Sequence, residues 1–276
     1  MRRRQNEVAL TPTINPGVPG GLPVAPSHEL LAEAQQTSGR SWPMHRPQWM
    51  ALLACYVGMV GVGVAIGFLL TGPLDRTFVV RGDRHVAVWF VDHRTTTLNT
   101  LTVWGSGLAE TLVKIVVTAV LALVMYAVWR RWVEPLLLAL SLILEAATFI
   151  TVTWIVGRPR PDVVRLESSP VGSSFPSGHA AAAAAYSAIA VIVFWHTRNR
   201  WARALIVALS VAVPVVVGLS RMYRGMHFLS DVLAGVVLGV VSVAVTTMIL
   251  VHTPEGRAIA RSADSDQAAR PSRSGK

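Results

Sequence analysis

Apolar residues along this chain gather into long runs separated by short polar stretches. The first run, Trp49 to Thr71, exceeds the roughly 20 residues a helix needs to cross a bilayer. Five more follow at about 108–129, 135–156, 179–196, 203–219 and 228–251. Trp49, Trp129, Trp132, Trp154, Trp195 and Trp201 stand at the ends of these spans, where an amphipathic ring favours the membrane interface. Residues 72–107 are mixed, and Val86, Trp89, Phe90 and His93 recur there at helical spacing, predicting an amphipathic helix in the interface. The expected architecture is all-α, a six-transmembrane-helix bundle.

Composition agrees with a membrane protein. Hydrophobic residues make up 52% of the 276 and charged residues 14%, against roughly a quarter charged in ordinary soluble proteins. A formal charge of +10 raises the question of nucleic acid. The arginines fall in tails and short loops, form no binding stripe and belong to no recognition module, so no nucleic-acid partner is expected. The single cysteine, Cys55, lies inside the first run and excludes an internal disulfide.

Residues 1–48, rich in Pro, Gly, Ser and Gln, cannot bury enough apolar surface to order themselves. They are expected to form a disordered cytoplasmic tail, with 49–251 the membrane domain and 252–276 a basic cytoplasmic tail. The first run lies too far along the chain, and is too long, for a cleaved signal peptide. Arg130-Arg131 joins the second and third runs, His196 to Arg203 joins the fourth and fifth, and both tails are basic. The positive-inside rule therefore places these loops and both termini in the cytoplasm of a multi-pass cell-membrane protein. Segments 157–178 and 220–227 then emerge together on the outer face, and their arginines are an exception assigned to function.

Those outer segments carry the chemistry. His227 and Asp231 are four apart, a spacing that on a helix puts both on one face. A carboxylate holding one ring N–H would leave the other nitrogen as a nucleophile or base; a buried polar pair that only packs helices has the same spacing. Pro176-Ser177-Gly178-His179 directly precedes an alanine-rich run. Ser177 is a good N-cap, Gly178 permits close approach of backbone to a ligand, and a helix start attracts anions, so His179 would lie beside a bound phosphate. Arg160, in Gly157-Arg158-Pro159-Arg160-Pro161, and Arg221, on a loop able to fold back over His227, are the proposed anion clamp. Arg158, Arg165 and Arg224 read better as interfacial arginines snorkelling at span ends. Glu110 stands four residues before Lys114, an ordinary helical ion-pair spacing, and Glu145 is a further intramembrane carboxylate.

With these pieces in order, the chain resembles the type-2 phosphatidate phosphatase family of the acid phosphatase–haloperoxidase superfamily. The family pattern is Lys-x6-Arg-Pro, then Pro-Ser-Gly-His, then Ser-Arg-x5-His-x3-Asp, and the last two match here at every fixed position, over a region of about residues 100–251. The resemblance implies His227 as a nucleophile forming a phosphohistidine, Asp231 orienting it, His179 as general acid, and Arg160, Arg221, Ser177 and Gly178 holding the phosphate. It implies no metal and no cofactor. The implied function is an integral membrane phosphatase acting on a lipid phosphate or polyprenyl diphosphate. A lipid phosphotransferase and a non-catalytic membrane binding or transport protein are the alternatives.

One position departs from the pattern. The family lysine should stand seven residues before Arg160, where this chain has Thr153, and its only lysines are Lys114 and Lys276. Arg158 is the first candidate to replace the missing cation, and Lys114 the second.

Overall fold

In the computed structural model of the chain, the described residues are 43–168, 172–253 and 256–257. They form nine helices: α1 (Arg46–Thr71), α2 (Phe78–Asp92), α3 (Thr96–Gly107), α4 (Thr111–Trp129), α5 (Val133–Val156), α6 (Gly178–Ala185), α7 (Ala188–His196), α8 (Arg200–Tyr223) and α9 (Leu229–Val251). No strand occurs among the described residues. Six stretches are long and apolar enough to cross a membrane: α1, α4, α5, α6 with α7, α8 and α9. All six expected spans are present, and the fold is the expected all-α bundle.

The boundaries differ in instructive ways. The tail expected over 1–48 lies mostly outside the described residues, but α1 begins at Arg46 and Met44 is buried in the core, so order starts before Trp49. Most of the 252–276 tail also lies outside the described residues. The fourth span is two helices, α6 and α7, joined at Tyr186 and Ser187. Residues 72–107 hold two helices rather than one, with Val86 and Phe90 of α2 packed inward and Trp89 exposed. The fifth span continues past Leu219 to Tyr223, which puts Arg221 in a helical turn and not on a loop.

Burial separates core helices from lipid-facing ones. α5 is buried along much of its length, from Val133 and Leu137 to Thr148 and Val152, whereas α1 and α4 expose Leu53, Val57, Leu112, Leu123 and Val128. Exposed apolar side chains cost nothing against hydrocarbon, so the usual inside-out rule for water does not apply to these faces.

The closest helix contact is between α6 and α9. A Cβ added at Gly235 would lie 2.3 Å from the Ser177 carbonyl oxygen, and one at Gly239 would lie 2.2 Å from that of Ala181. The two backbones touch there, with only glycine on α9 and small residues on α6 permitting the approach.

Two apolar clusters mark the ends of the bundle. Met44, Met125, Val133, Ile192 and Leu250 meet at one end, against Trp129, Trp132 and Trp195. Leu70, Val80, Val156 and Phe175 meet at the other. The start of α1 and the end of α9 thus lie together, opposite the segments that carry the histidine motifs.

Candidate active site

α8 ends in a reversal that brings His227 back to the bundle. Gly225 adopts a positive φ of 74°, conformational space that residues with a Cβ seldom enter. The N–H of Gly225 donates to the Met222 carbonyl and that of Met226 to the Arg221 carbonyl. Phe228 is extended (φ −76°, ψ 163°) and caps α9, so His227 precedes the helix rather than forming part of it.

This corrects the expected pairing of His227 with Asp231. The Nδ1 of His227 lies 2.7 Å from the Ser174 carbonyl oxygen and 4.0 Å from Asp231 Oδ2. A carbonyl only accepts, so Nδ1 carries the proton and Nε2 keeps its lone pair. Ser174 is itself anchored: its N–H donates to the Arg158 carbonyl at 2.8 Å and its hydroxyl to the Pro159 carbonyl at 3.0 Å. Asp231 accepts the Phe228 N–H at Oδ2 (2.9 Å) and Arg158 Nη1 at Oδ1 (2.5 Å). Its contact with the imidazole, at 4.0 Å, is electrostatic rather than a hydrogen bond.

Ser177 caps α6 as expected, its hydroxyl oxygen accepting from Ala180 N–H, while its own N–H donates to the Asp231 carbonyl at 3.0 Å. The two motifs are therefore stitched together by backbone. Gly178 has a different neighbour from the one expected: a Cβ there would meet the Phe149 ring at 2.8 Å, so the space is filled by protein. His179 sits in the first turn of α6, half-buried.

Around His227 stand the charged Arg221 and Arg160 and the titratable His179. Burial, followed by the Arg221 and Arg160 guanidiniums, drives the His227 imidazole well below its usual 6.5, so the ring is neutral at physiological pH. Arg160 donates from Nη1 to the Met226 carbonyl at 2.6 Å. Burial and then Arg221 pull its guanidinium down to about 10, which still leaves it a cation at neutral pH.

The remaining arginines are engaged by carboxylates. Arg221 and Arg224 both grip Glu167, the latter through Nε at 2.6 Å, and Arg221 also donates to Ser106 Oγ at 2.7 Å. Burial alone would raise the Glu167 carboxyl, but Arg221 and Arg224 outweigh it and hold the group below the ordinary carboxylate range. Arg158 does not snorkel. It is buried, donates to Asp231, Asp83 and Ser230, and lies 4.5 Å over the Phe228 ring. Arg224 is also buried, contrary to the snorkelling reading.

Sequence reasoning missed Glu167 and Asp83. A signal for the second exists: Val80, Asp83 and Ala87 form the buried face of α2, and a carboxylate on an apolar stripe calls for a partner. Lys114 pairs with Glu145 on α5 at 3.4 Å rather than with Glu110, which stands at the N-cap position of α4. Thr153 donates to the Phe175 carbonyl at 3.2 Å. Among the described residues, no group of three or more His, Cys, Asp or Glu is arranged to hold a metal ion.

The fold is shared with the crystal structure of a transmembrane PAP2-type phosphatidylglycerolphosphate phosphatase from Bacillus subtilis, at a TM-score of 0.60 and 23% identity over 77% of this chain and 98% of that one. Taken with the six apolar helices, this makes the chain a multi-pass membrane protein. Phosphatidylglycerophosphatase B of Bacillus subtilis (strain 168) is 38% identical over 91 residues, 30% of this chain and 42% of that protein. Sphingosine-1-phosphate phosphatase 2 of Mus musculus is 40% identical over 89 residues, 31% of this chain and 24% of that protein. The chain thus spans less than half the length of these two relatives. Residues 134–253, which carry both histidines, Asp231 and Arg158, Arg160, Arg221 and Arg224, match the PAP2 superfamily, and this stretch of the chain is a PAP2 superfamily domain.

Proposed function

We propose that this chain hydrolyses a lipid phosphate or polyprenyl diphosphate in the membrane through a phosphohistidine at His227. The observation that carries the reading is the Ser174 carbonyl on Nδ1, which leaves the Nε2 lone pair of a neutral ring among Arg160 and Arg221. Nε2 attacks phosphorus as the bond to the lipid oxygen breaks, and His179 gives that oxygen its proton. Water then attacks the phosphohistidine, His179 takes up the water proton, and inorganic phosphate and free His227 result. Arg160, Arg221, the Ser177 hydroxyl and the Gly178 N–H hold the phosphate oxygens, charge-assisted donors being the strongest available to the protein. Asp231 supports the imidazolium character that develops at His227. No cofactor takes part in these steps. The names of both relatives, each a phosphatase of a lipid phosphate, support the substrate class.

The same reading places the protein in the cell membrane with its termini in the cytoplasm, the 1–48 and 252–276 segments as tails, and the site on the outer face. Charge distribution supports it. At the site end, Arg84, Arg158, Arg221 and Arg224 are paired with Asp75, Asp83, Asp231 and Glu167, and the same segments carry Arg76, Arg81, Arg94, Arg160 and Arg165 with Asp92 and Asp162. At the opposite end Arg130, Arg131, Arg200 and Arg203 face a single described carboxylate, Glu134. Unmatched positive charge is what favours the cytoplasmic side.

The test is phosphate release by purified protein in detergent from phosphatidate, phosphatidylglycerol phosphate, sphingosine-1-phosphate and undecaprenyl diphosphate. Release from at least one, lost in His227→Ala, is expected. No release from any member, or equal release by the variant, would overturn the assignment.

A further inference from the structure

We infer that Asp83, on α2 and outside the matched domain, is a positioning residue for the nucleophile, acting through Arg158. The inference rests on His227 being the nucleophile. Asp83 and Arg158 are buried, at 4% and 3% exposure. Asp83 Oδ2 takes Arg158 Nη2 at 3.0 Å, and its Oδ1 takes the Ser230 N–H at 2.9 Å, in the first turn of α9. Ser230 Oγ bridges Asp83 Oδ2 at 2.5 Å and Arg158 Nη1 at 2.8 Å. Arg158 Nη1 in turn holds Asp231 Oδ1.

Arg158 thereby serves His227 along two routes. Its side chain holds Asp231, and its main-chain carbonyl holds Ser174, whose own carbonyl sets the His227 tautomer. Its guanidinium is therefore turned to the back of the nucleophile, which makes it a poor stand-in for the phosphate-binding lysine that Thr153 lacks.

Charge counting shows why Asp83 matters to the chemistry. Arg158 alone would cancel Asp231 and leave nothing to offset the positive charge that grows on His227 as it takes the phosphoryl group. With Asp83 present, one guanidinium serves two carboxylates, and the buried set keeps one negative charge in excess. A buried charge imbalance is costly unless answered, and the imidazolium answers it in the transition state.

The experiment measures kcat, KM and orthovanadate inhibition for phosphatidate in detergent micelles, comparing wild type, Asp83→Asn and Asp83→Glu. Asp83→Asn should lose about 10- to 100-fold in kcat, the scale of a charged hydrogen bond, with KM and vanadate inhibition nearly unchanged. Asp83→Glu, which keeps the charge, should retain most of kcat. Wild-type kcat in Asp83→Asn, a loss confined to KM, or an Asp83→Glu protein as slow as Asp83→Asn would each overturn the inference. An inactive wild type would instead count against the functional reading.

Discussion

The Nδ1 of His227 is 2.7 Å from the Ser174 carbonyl oxygen, a contact that only a protonated Nδ1 can make. Main chain is a steadier orienter than a carboxylate, because it cannot titrate and has few ways to turn aside.

It follows that the substrate-free ring should stay neutral well into acid. His227 has a folded-state value far below 6.5, caused by burial and then by Arg221 and Arg160. Ring nitrogen shifts of the purified protein should show no protonation of His227 at pH 6.5; a midpoint at or above that value would contradict the geometry. The sign for stability is fixed too. Below about 6.5 the unfolded chain takes up a proton at this position that the folded chain refuses, so stability falls with pH until the folded value is reached.

The two histidines should fail differently. His227→Ala removes the covalent step and with it all turnover. His179→Ala should cost roughly 10²–10⁴-fold with an alkyl phosphate, the usual contribution of a general acid. With p-nitrophenyl phosphate, whose leaving group needs no proton, the loss should be much smaller. Equal losses on both substrates would remove His179 from the acid role.

Glu167 occupies Arg221, one of the proposed phosphate-holding residues, together with Arg224. Glu167→Gln should therefore tighten inhibition by inorganic phosphate and orthovanadate by about two- to fivefold, the range of a partly exposed ion pair. Weaker inhibition would mean that the carboxylate shapes the clamp instead of blocking it. The pair also stabilises the fold. Because the folded carboxyl lies below its unfolded value of roughly 4.3, the stabilisation is present above that value and fades as pH falls through the folded one. The variant should melt lower than wild type at pH 7, with the gap closing in acid.

Spans were legible in the sequence because bilayer thickness sets a minimum apolar length that few other structures need. The end of α8 was not, since hydropathy stops at Leu219 while helical hydrogen bonding continues through Arg221, whose charge is met by Glu167 from a distant loop. Spacing alone also misled at His227: four residues to Asp231 suggests one helix face, but extended Phe228 intervenes. Asp83 lies 75 positions from Arg158, and no local pattern announces a pair so distant in the chain. The motif residues themselves were recognisable because histidine, arginine and an N-capping serine are the types that the proposed phosphate chemistry calls for.

Orientation is open to direct chemistry. In a Cys55→Ala background, Val164→Cys at the site end, where Val164 is well exposed, should react with an impermeant maleimide in intact cells. Asn199→Cys, at the start of α8, should react only after lysis. The reverse pattern would put the site in the cytoplasm.

Gly235→Val should cost about 1–3 kcal/mol, the range for overpacking a tight contact, because even its Cβ would press on the Ser177 carbonyl. Melting temperature and activity should fall together. A variant that melts like wild type would show the seam to be slack.

That seam between α6 and α9 has a wider consequence. Where backbone lies on backbone there is no side chain left to adjust, so His179 and the α9 cap that presents His227 are set at one separation, as if cast in a single piece. New substrates cannot be accommodated by stretching the reacting centre. Room to vary lies instead in α1, α2 and α4, whose side chains face lipid or line the cavity beside Arg160. On the proposed function, a chain built this way can change the lipid it selects while leaving the chemical step untouched.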